Sequence, residues 1–292
     1  METQTQTQTQ PIELDQTNAK TFIFIDGSYY CFYRYYSLIN WWKLAHPEII
    51  LEDPFNNETF VLKFKKTFVE NIINIPKKLS LKEETENENN IQIIVGRDCK
   101  RANIWRHEFC TGYKGTRDKP GEIFYGANFF KMAYDEELFL KGGANNILHH
   151  PKLEADDVIA ISVKLMLAKH PNCKIYIITS DKDYLQLLEP RVKIYNLAFK
   201  NIADQKSCYN DAKKDLFLKI VMGDKSDNIS SVLKKCGPKT AIKCYEDDKY
   251  FQDRLAAENA HEKYALNKKI IDFNEIPKLL VDEFMQSSDI II

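Results

Sequence analysis

Long apolar stretches are missing from this chain: no run approaches the roughly 18 consecutive apolar residues that a membrane-spanning helix needs. An excess of either charge is missing as well, with 41 Lys and Arg against 42 Asp and Glu and a formal net charge of −1. A strongly basic balance is the usual footprint of a nucleic-acid partner, so charge alone does not suggest one. The seven cysteines, at 31, 99, 110, 173, 208, 236 and 244, form no CxxC pair, and none stands at zinc-finger spacing from a histidine. They read as reduced, mostly buried thiols of an intracellular protein. No Gly-rich phosphate loop precedes a helix, and no Ser-His-Asp or Cys-His arrangement is in view. The opening METQTQTQTQ has neither the basic nor the apolar segment of a secretory signal, and residues 1–20 read as a disordered polar tail. His149 and His150, before Pro151, are expected at the surface rather than on a metal.

What is present suffices for a sizeable core, because 44% of the 292 residues are hydrophobic and 12% aromatic. TFIFID at 21–26 is a short apolar run ending in Asp26 and Gly27, the pattern of a buried parallel strand entering a helix. From 58 to 75, Phe60, Val61, Phe64, Phe68, Ile72 and Ile75 recur at helical spacing. Residues 82–90 are a solvated connector, and IQIIVG at 91–96 is a second strand that runs into Asp98. The basic, aromatic stretch 100–150 supports no assignment to regular elements. A helix with acids in its first turn spans 153–169, and strands follow at 174–181 and 192–196. This alternation predicts an α/β fold, a central, mostly parallel sheet with helices on both faces. Beyond about residue 205 only helical segments continue.

In open α/β sheets, ligands bind beyond the carboxyl ends of the strands. Asp26, Asp98 and Asp181 stand at or just past predicted strand ends, with Asp183 two residues on. Glu154, Asp156 and Asp157 open a helix that can aim at the same edge, and Asp224 and Asp227 lie in the turn-rich GDKSDN. Each acid taken alone is most simply a cap or turn former. Nine on one edge would repel one another unless cations lay between them. Such oxygen-only sites favour Mg²⁺ or Mn²⁺, and two ions about 4 Å apart suit phosphodiester hydrolysis.

The ordered fragments IDGS (25–28), GRD (96–98), YKGTR (113–117), EADD (154–157), TSDKD (179–183), GDKSDNI (223–229) and GPKTA (237–241) resemble the 5′-nuclease superfamily of flap endonucleases and 5′-3′ exonucleases. The likeness runs from about residue 21 to 245 and is closer to phage, bacterial or viral types. It implies an α/β nuclease core over 21–205, a helical arch at about 113–150, and a helical region over 206–292 with a helix–hairpin–helix at about 215–246. It implies one metal on Asp26, Asp98, Glu154 and Asp156, supported by Asp157, and a second on Asp181, Asp183, Asp224 and Asp227. Lys114 and Arg117 would then neutralise the scissile phosphate, and Tyr113 could stack an unpaired base. Lys234, Lys235, Gly237, Lys239, Thr240 and Lys243 would grip duplex DNA through lysines and helix-terminal amides.

In the family this hairpin can also bind K⁺ through backbone carbonyls. Here the sequence departs, with Ser230-Ser231 for the usual Pro-Gly and Leu233-Lys234-Lys235-Cys236 where a glycine is expected. The expected partners are DNA with 5′ flaps, nicks or ends, including RNA-primed DNA, bound by a monomer. No sliding-clamp motif is visible in QSSDIII, and no membrane is involved. The competing readings are a catalytically silent DNA-junction binder on the same fold and a PIN-type ribonuclease. Neutral charge does not exclude DNA: without the nine acids, 33 acidic residues face 41 basic ones, so a concentrated negative site offsets a dispersed positive surface.

Overall fold

The computed structural model describes residues 20–81, 90–117 and 124–287. The expected tail and the 82–90 connector therefore fall almost wholly outside the described residues. TFIFID and IQIIVG form strands β1 (Thr21–Asp26) and β2 (Ile91–Gly96). β1 is central, parallel to β2 on one side and to β4 (Lys174–Ile178) on the other. β3 (Asn146–Leu148) extends the β2 edge and β5 (Val192–Tyr195) the β4 edge, giving the all-parallel order β3-β2-β1-β4-β5. The order reverses between β1 and β4, the switch point at which such sheets open a crevice beyond their carboxyl ends.

β1 has the β-branched and aromatic composition of a strand buried on both faces, and Phe22, Ile23, Phe24 and Ile25 are fully buried. One face carries Phe22 and Phe24 against α6 (Ala155–Lys169) and, from the end of the described chain, Leu280 and Phe284 of α11 (Lys278–Ser287). The other carries Ile23 and Ile25 against α1 (Gly27–Ala45), α2 (Glu58–Ile73) and two short helices, α4 (Ala127–Asp135) and α5 (Leu138–Lys141). A further short helix, α3 (Ile75–Lys78), follows α2. The rings of Phe60, Phe64 and Phe68 on α2 meet Phe129 and Phe139, which closes this face with edge-to-face and tilted aromatic pairs.

Helices α7 (Ala212–Met222), α8 (Pro238–Glu246), α9 (Asp248–Glu258) and α10 (His261–Ile271) share a smaller core around Val221, Leu233, Cys244 and Phe251. Ile220, Ile229, Ile270 and Ile271 also pack with Cys99, Ile104 and Tyr113, so the helical region joins the sheet domain beside the strand ends. Two features depart from the sequence reading. The sheet has a fifth strand, β3, which lies within the stretch left unassigned. The stretch expected to form an arch, 113–150, supplies α4, α5 and β3 to the core; within it, 118–123 lie outside the described residues.

Candidate metal-binding active site

Five carboxylates line one cavity of about 200 Å³ at the carboxyl edge of the sheet: Asp26, Asp98, Glu154, Asp156 and Asp181. Their capping chemistry explains how they arrive there. Asp26 ends β1 and caps α1, its Oδ1 accepting from the Tyr29 amide at 3.0 Å, while Oδ2 accepts from Thr179 Oγ1 at 3.2 Å. Asp98 accepts from the Ala155 amide at 2.7 Å and from the Ser28 hydroxyl. Glu154 and Asp157 form the capping box of α6, and Asp181 caps the 3₁₀ turn 182–187 through the Asp183 amide at 2.9 Å. For Asp26, Glu154 and Asp181 a cap and a site acid are thus the same residue: hydrogen bonds at the head of an element fix the carboxylate, and lone pairs remain for a cation.

Gly27 allows the close approach this requires, since a Cβ there would lie 2.4 Å from the Tyr134 hydroxyl and 2.6 Å from the Gly96 carbonyl oxygen. Burial raises the Asp26 carboxyl to about 7, helped by the charges of Asp98 and Asp181. Burial likewise raises Asp156, with Asp157 adding to the effect. Buried carboxylates that resist ionisation and crowd one another have the chemistry of a hard divalent-cation site.

Glu154 behaves differently. Burial would raise its carboxyl, but Arg106 and Lys114 outweigh burial and hold it below the ordinary range. Arg106 is buried and donates to Glu154 Oε2 at 2.8 Å and to both oxygens of Asp157 at 2.7 and 2.8 Å. Trp105 Nε1 donates to Asp157 as well, at 2.9 Å. Asp157, expected to support the metal, keeps a carboxylate oxygen within 4.8 Å of ligand atoms of Glu154 and Asp156, while its oxygens also accept from these donors and it stands behind the cavity lining. Its role in the fold is to anchor Arg106.

A second group of acids lies at the mouth of the helical region. Asp183, Asp224 and Asp227 place one ligand atom each within 4.8 Å of one another. Gly223, at φ +71°, lets the chain leave α7, and reciprocal bonds between Asp224 and Ile229 at 2.9 and 2.7 Å close the loop that carries both acids. Lys219 on α7 stands between Asp183 and Asp224 and holds Asp224 at about 2, outweighing its burial. The sequence reading missed Lys219; the signal available was its position one helical turn before GDKSDN. Asp181, grouped with these acids in the sequence, belongs instead to the first cavity.

Lys114 and Arg117 also line that cavity, and both are paired with acids: Lys114 with Glu154, Arg117 with Asp227. They connect the two acidic groups. Tyr113 requires a correction. It is buried, with its hydroxyl donating to Glu154 at 3.1 Å, so its ring cannot stack an unpaired base and instead positions a carboxylate. His150, expected at the surface, is buried, with Nε2 3.4 Å from Glu283 of α11. Lys234, Lys235, Lys239 and Lys243 are exposed around the turn and first helical turns of α8, with Gly237 as its N-cap and Thr240 half-buried.

The family model of the 5′-3′ exonuclease N-terminal resolvase-like domain matches residues 21–215. Among curated proteins, ribonuclease H of Enterobacteria phage T4 is 31% identical over 205 residues, 64% of this chain and 66% of that protein, so the chain spans just under two thirds of its length. A 5′-3′ exonuclease of Mycoplasmopsis pulmonis is 28% identical over 269 residues, 89% of this chain and 78% of that one. Among solved structures, the bacteriophage T5 D15 protein crystallised with metal ions superposes with a TM-score of 0.60 at 17% identity, covering 91% of this chain and 97% of that one. The D15 flap endonuclease in complex with DNA and metal ions gives a TM-score of 0.58, also at 17% identity.

Proposed function

Because the chain belongs to the 5′-3′ exonuclease family, we propose that it is a divalent-metal-dependent, structure-specific 5′ nuclease that hydrolyses phosphodiester bonds of DNA. The observation that carries this is the convergence of Asp26, Asp98, Glu154, Asp156 and Asp181 on one cavity, with Lys114 and Arg117 at its wall. The donor set fits Mg²⁺ or Mn²⁺: every candidate ligand is an oxygen, and the crowded acids lack enough cations of their own. The first ion would be held by Asp26, Asp98, Glu154, Asp156 and Asp181, and the second by Asp183, Asp224 and Asp227, where it would displace the Lys219 ammonium that pairs with Asp183 and Asp224. Such ions supply water activation and charge neutralisation in phosphodiester hydrolysis.

The chain's own residues do the rest. Arg106 and Tyr113 hold Glu154 in place, and the capping bonds hold Asp26, Asp98 and Asp181. Lys114 and Arg117 present cations at the cavity wall, where a phosphate entering would exchange with the Glu154 and Asp227 carboxylates as their partner. The exposed lysines of α8 grip the duplex backbone at a distance from the cut.

The test is cleavage of matched 5′-flap, nicked, single-stranded and RNA-primed substrates with Mg²⁺ or EDTA. Asp156→Asn is expected to reduce cleavage by at least about a hundredfold while flap binding in EDTA stays within a few fold. Metal-dependent cleavage by the pure variant at the parental rate would falsify the assignment. The RNA-primed arm is included because the T4 relative is named a ribonuclease.

A further inference from the structure

The turn leading into α8 contains a strained residue. Lys235 sits at φ +51°, in the left-handed region that side chains other than glycine and asparagine enter rarely. Such conformations persist where the surroundings over-determine them. Here the surroundings are three residues of α9 spaced four apart, Tyr250, Arg254 and Glu258, which share one helix face. Arg254 Nη2 donates to the Lys234 carbonyl at 3.2 Å, its Nη1 to the Tyr250 hydroxyl at 3.0 Å, and its Nε to Glu258 Oε1 at 2.7 Å. Glu258 Oε2 in turn accepts from the Lys234 amide at 2.6 Å. Both main-chain polar groups of Lys234 are therefore taken by one helix, the carbonyl by a cation and the amide by an anion. Lys243 of α8 lies with its Nζ 3.9 Å from the Tyr250 ring centroid, which ties the following helix to the same row.

A potassium ion coordinated by backbone carbonyls is what the resemblance implies for this turn, and the residues present do not fit one at Lys234. Its carbonyl already accepts from a guanidinium, and Arg254 brings to the turn the positive charge that an ion would supply. We infer that Arg254, with Glu258, is a positioning residue that holds the 234–237 turn in its duplex-binding shape, so that the lysines of α8 engage the DNA backbone without a monovalent cation. Exposed ion pairs by themselves contribute little. The effect rests on the two main-chain hydrogen bonds and on the planar, permanently charged fork of arginine. The inference depends on the nuclease reading for its ligand, duplex DNA.

The experiment is anisotropy binding of a fluorescent nicked duplex to the full chain in EDTA, in KCl and in NaCl at equal ionic strength. Wild type is expected to bind equally in the two salts, within about twofold. Arg254→Met, which keeps the aliphatic stem, is expected to bind about tenfold more weakly, the scale of losing a hydrogen-bonded charge. In Mg²⁺ its KM for cleavage rises similarly while kcat changes by less than about twofold. Arg254→Lys, with charge but no fork, falls between. Glu258→Gln provides a second variant should Arg254→Met unfold, and is expected to bind about threefold more weakly. Potassium-specific tightening of the wild type, or undiminished binding by folded Arg254→Met or Glu258→Gln, overturns the inference alone. A wild type that binds no nicked duplex in either salt overturns the nuclease reading and this inference with it.

Discussion

Arg106 shows how much of this site depends on residues that never face the cavity. It is buried, and its guanidinium also donates to the Ile270 carbonyl at 2.8 Å, so one side chain joins α10 to two carboxylates of α6. Removing one member of a buried ion pair leaves an uncompensated charge. Arg106→Met is expected to cost about 3–5 kcal/mol in urea denaturation, whereas Tyr113→Phe, which loses one hydrogen bond, should cost about 1 kcal/mol. Asp26 makes the complementary point about pH. Its carboxyl lies near 7 in the folded chain against an ordinary 3.8, so the folded state keeps a proton that the unfolded chain releases. The stability from this is complete below about pH 4 and is lost as pH rises through about 7. Thermal melts of metal-free protein should therefore show a falling melting temperature from about pH 5 to 8. Added Mg²⁺ should raise it more at the upper end, where the carboxylates are ionised and free to bind; an equal rise at both ends would count against the metal site.

At the scale of elements, the strands were legible because a two-sided buried strand is a short, uninterrupted apolar run. The runs 21–26 and 91–96 coincide with β1 and β2. β3 was not legible: its three residues, Asn146–Leu148, carry too few side chains to display a period, and the neighbouring strand creates it through pairing. The loop after α7 was legible as chemistry but not as shape. Its acids stand out in GDKSDN, yet it is Gly223 that sets their direction, and a Cβ there would lie 2.4 Å from the Ile229 carbonyl oxygen. Gly223→Ala is expected to displace Asp224 and Asp227, slowing cleavage by about tenfold or more and raising the Mg²⁺ concentration needed for half-maximal rate. Unchanged metal dependence would show that this loop does not serve the reaction.

For the whole molecule, the division at about residue 205 understates how closely the parts are joined. The Lys114 amide donates to the Asp227 carbonyl at 2.9 Å, and Gln186 donates to the Ile271 carbonyl at 3.1 Å while accepting from the Phe273 amide at 2.8 Å. The lysine hairpin and the acidic cavity are thus held at a fixed separation, as the proposed gripping of a duplex in one place and cutting in another requires. Net neutrality conceals this separation of charge. Binding of nicked duplex should weaken steeply with salt, and Lys239→Ala should reduce the log–log slope by about 1 if that lysine meets a phosphate. An unaltered slope would remove Lys239 from the interface. The chemistry is local and legible in the sequence: which acids stand at strand and helix ends, and an all-oxygen donor set of the kind that suits hard cations. Composition and order carry such information because capping and strand burial are local. Only the tertiary structure decided the partners. It turned Asp157 toward Arg106, buried Tyr113 against Glu154, placed Lys219 between two acids and set Arg254 on the hairpin carbonyl, because these contacts join segments that lie apart in sequence and meet only in the packed fold.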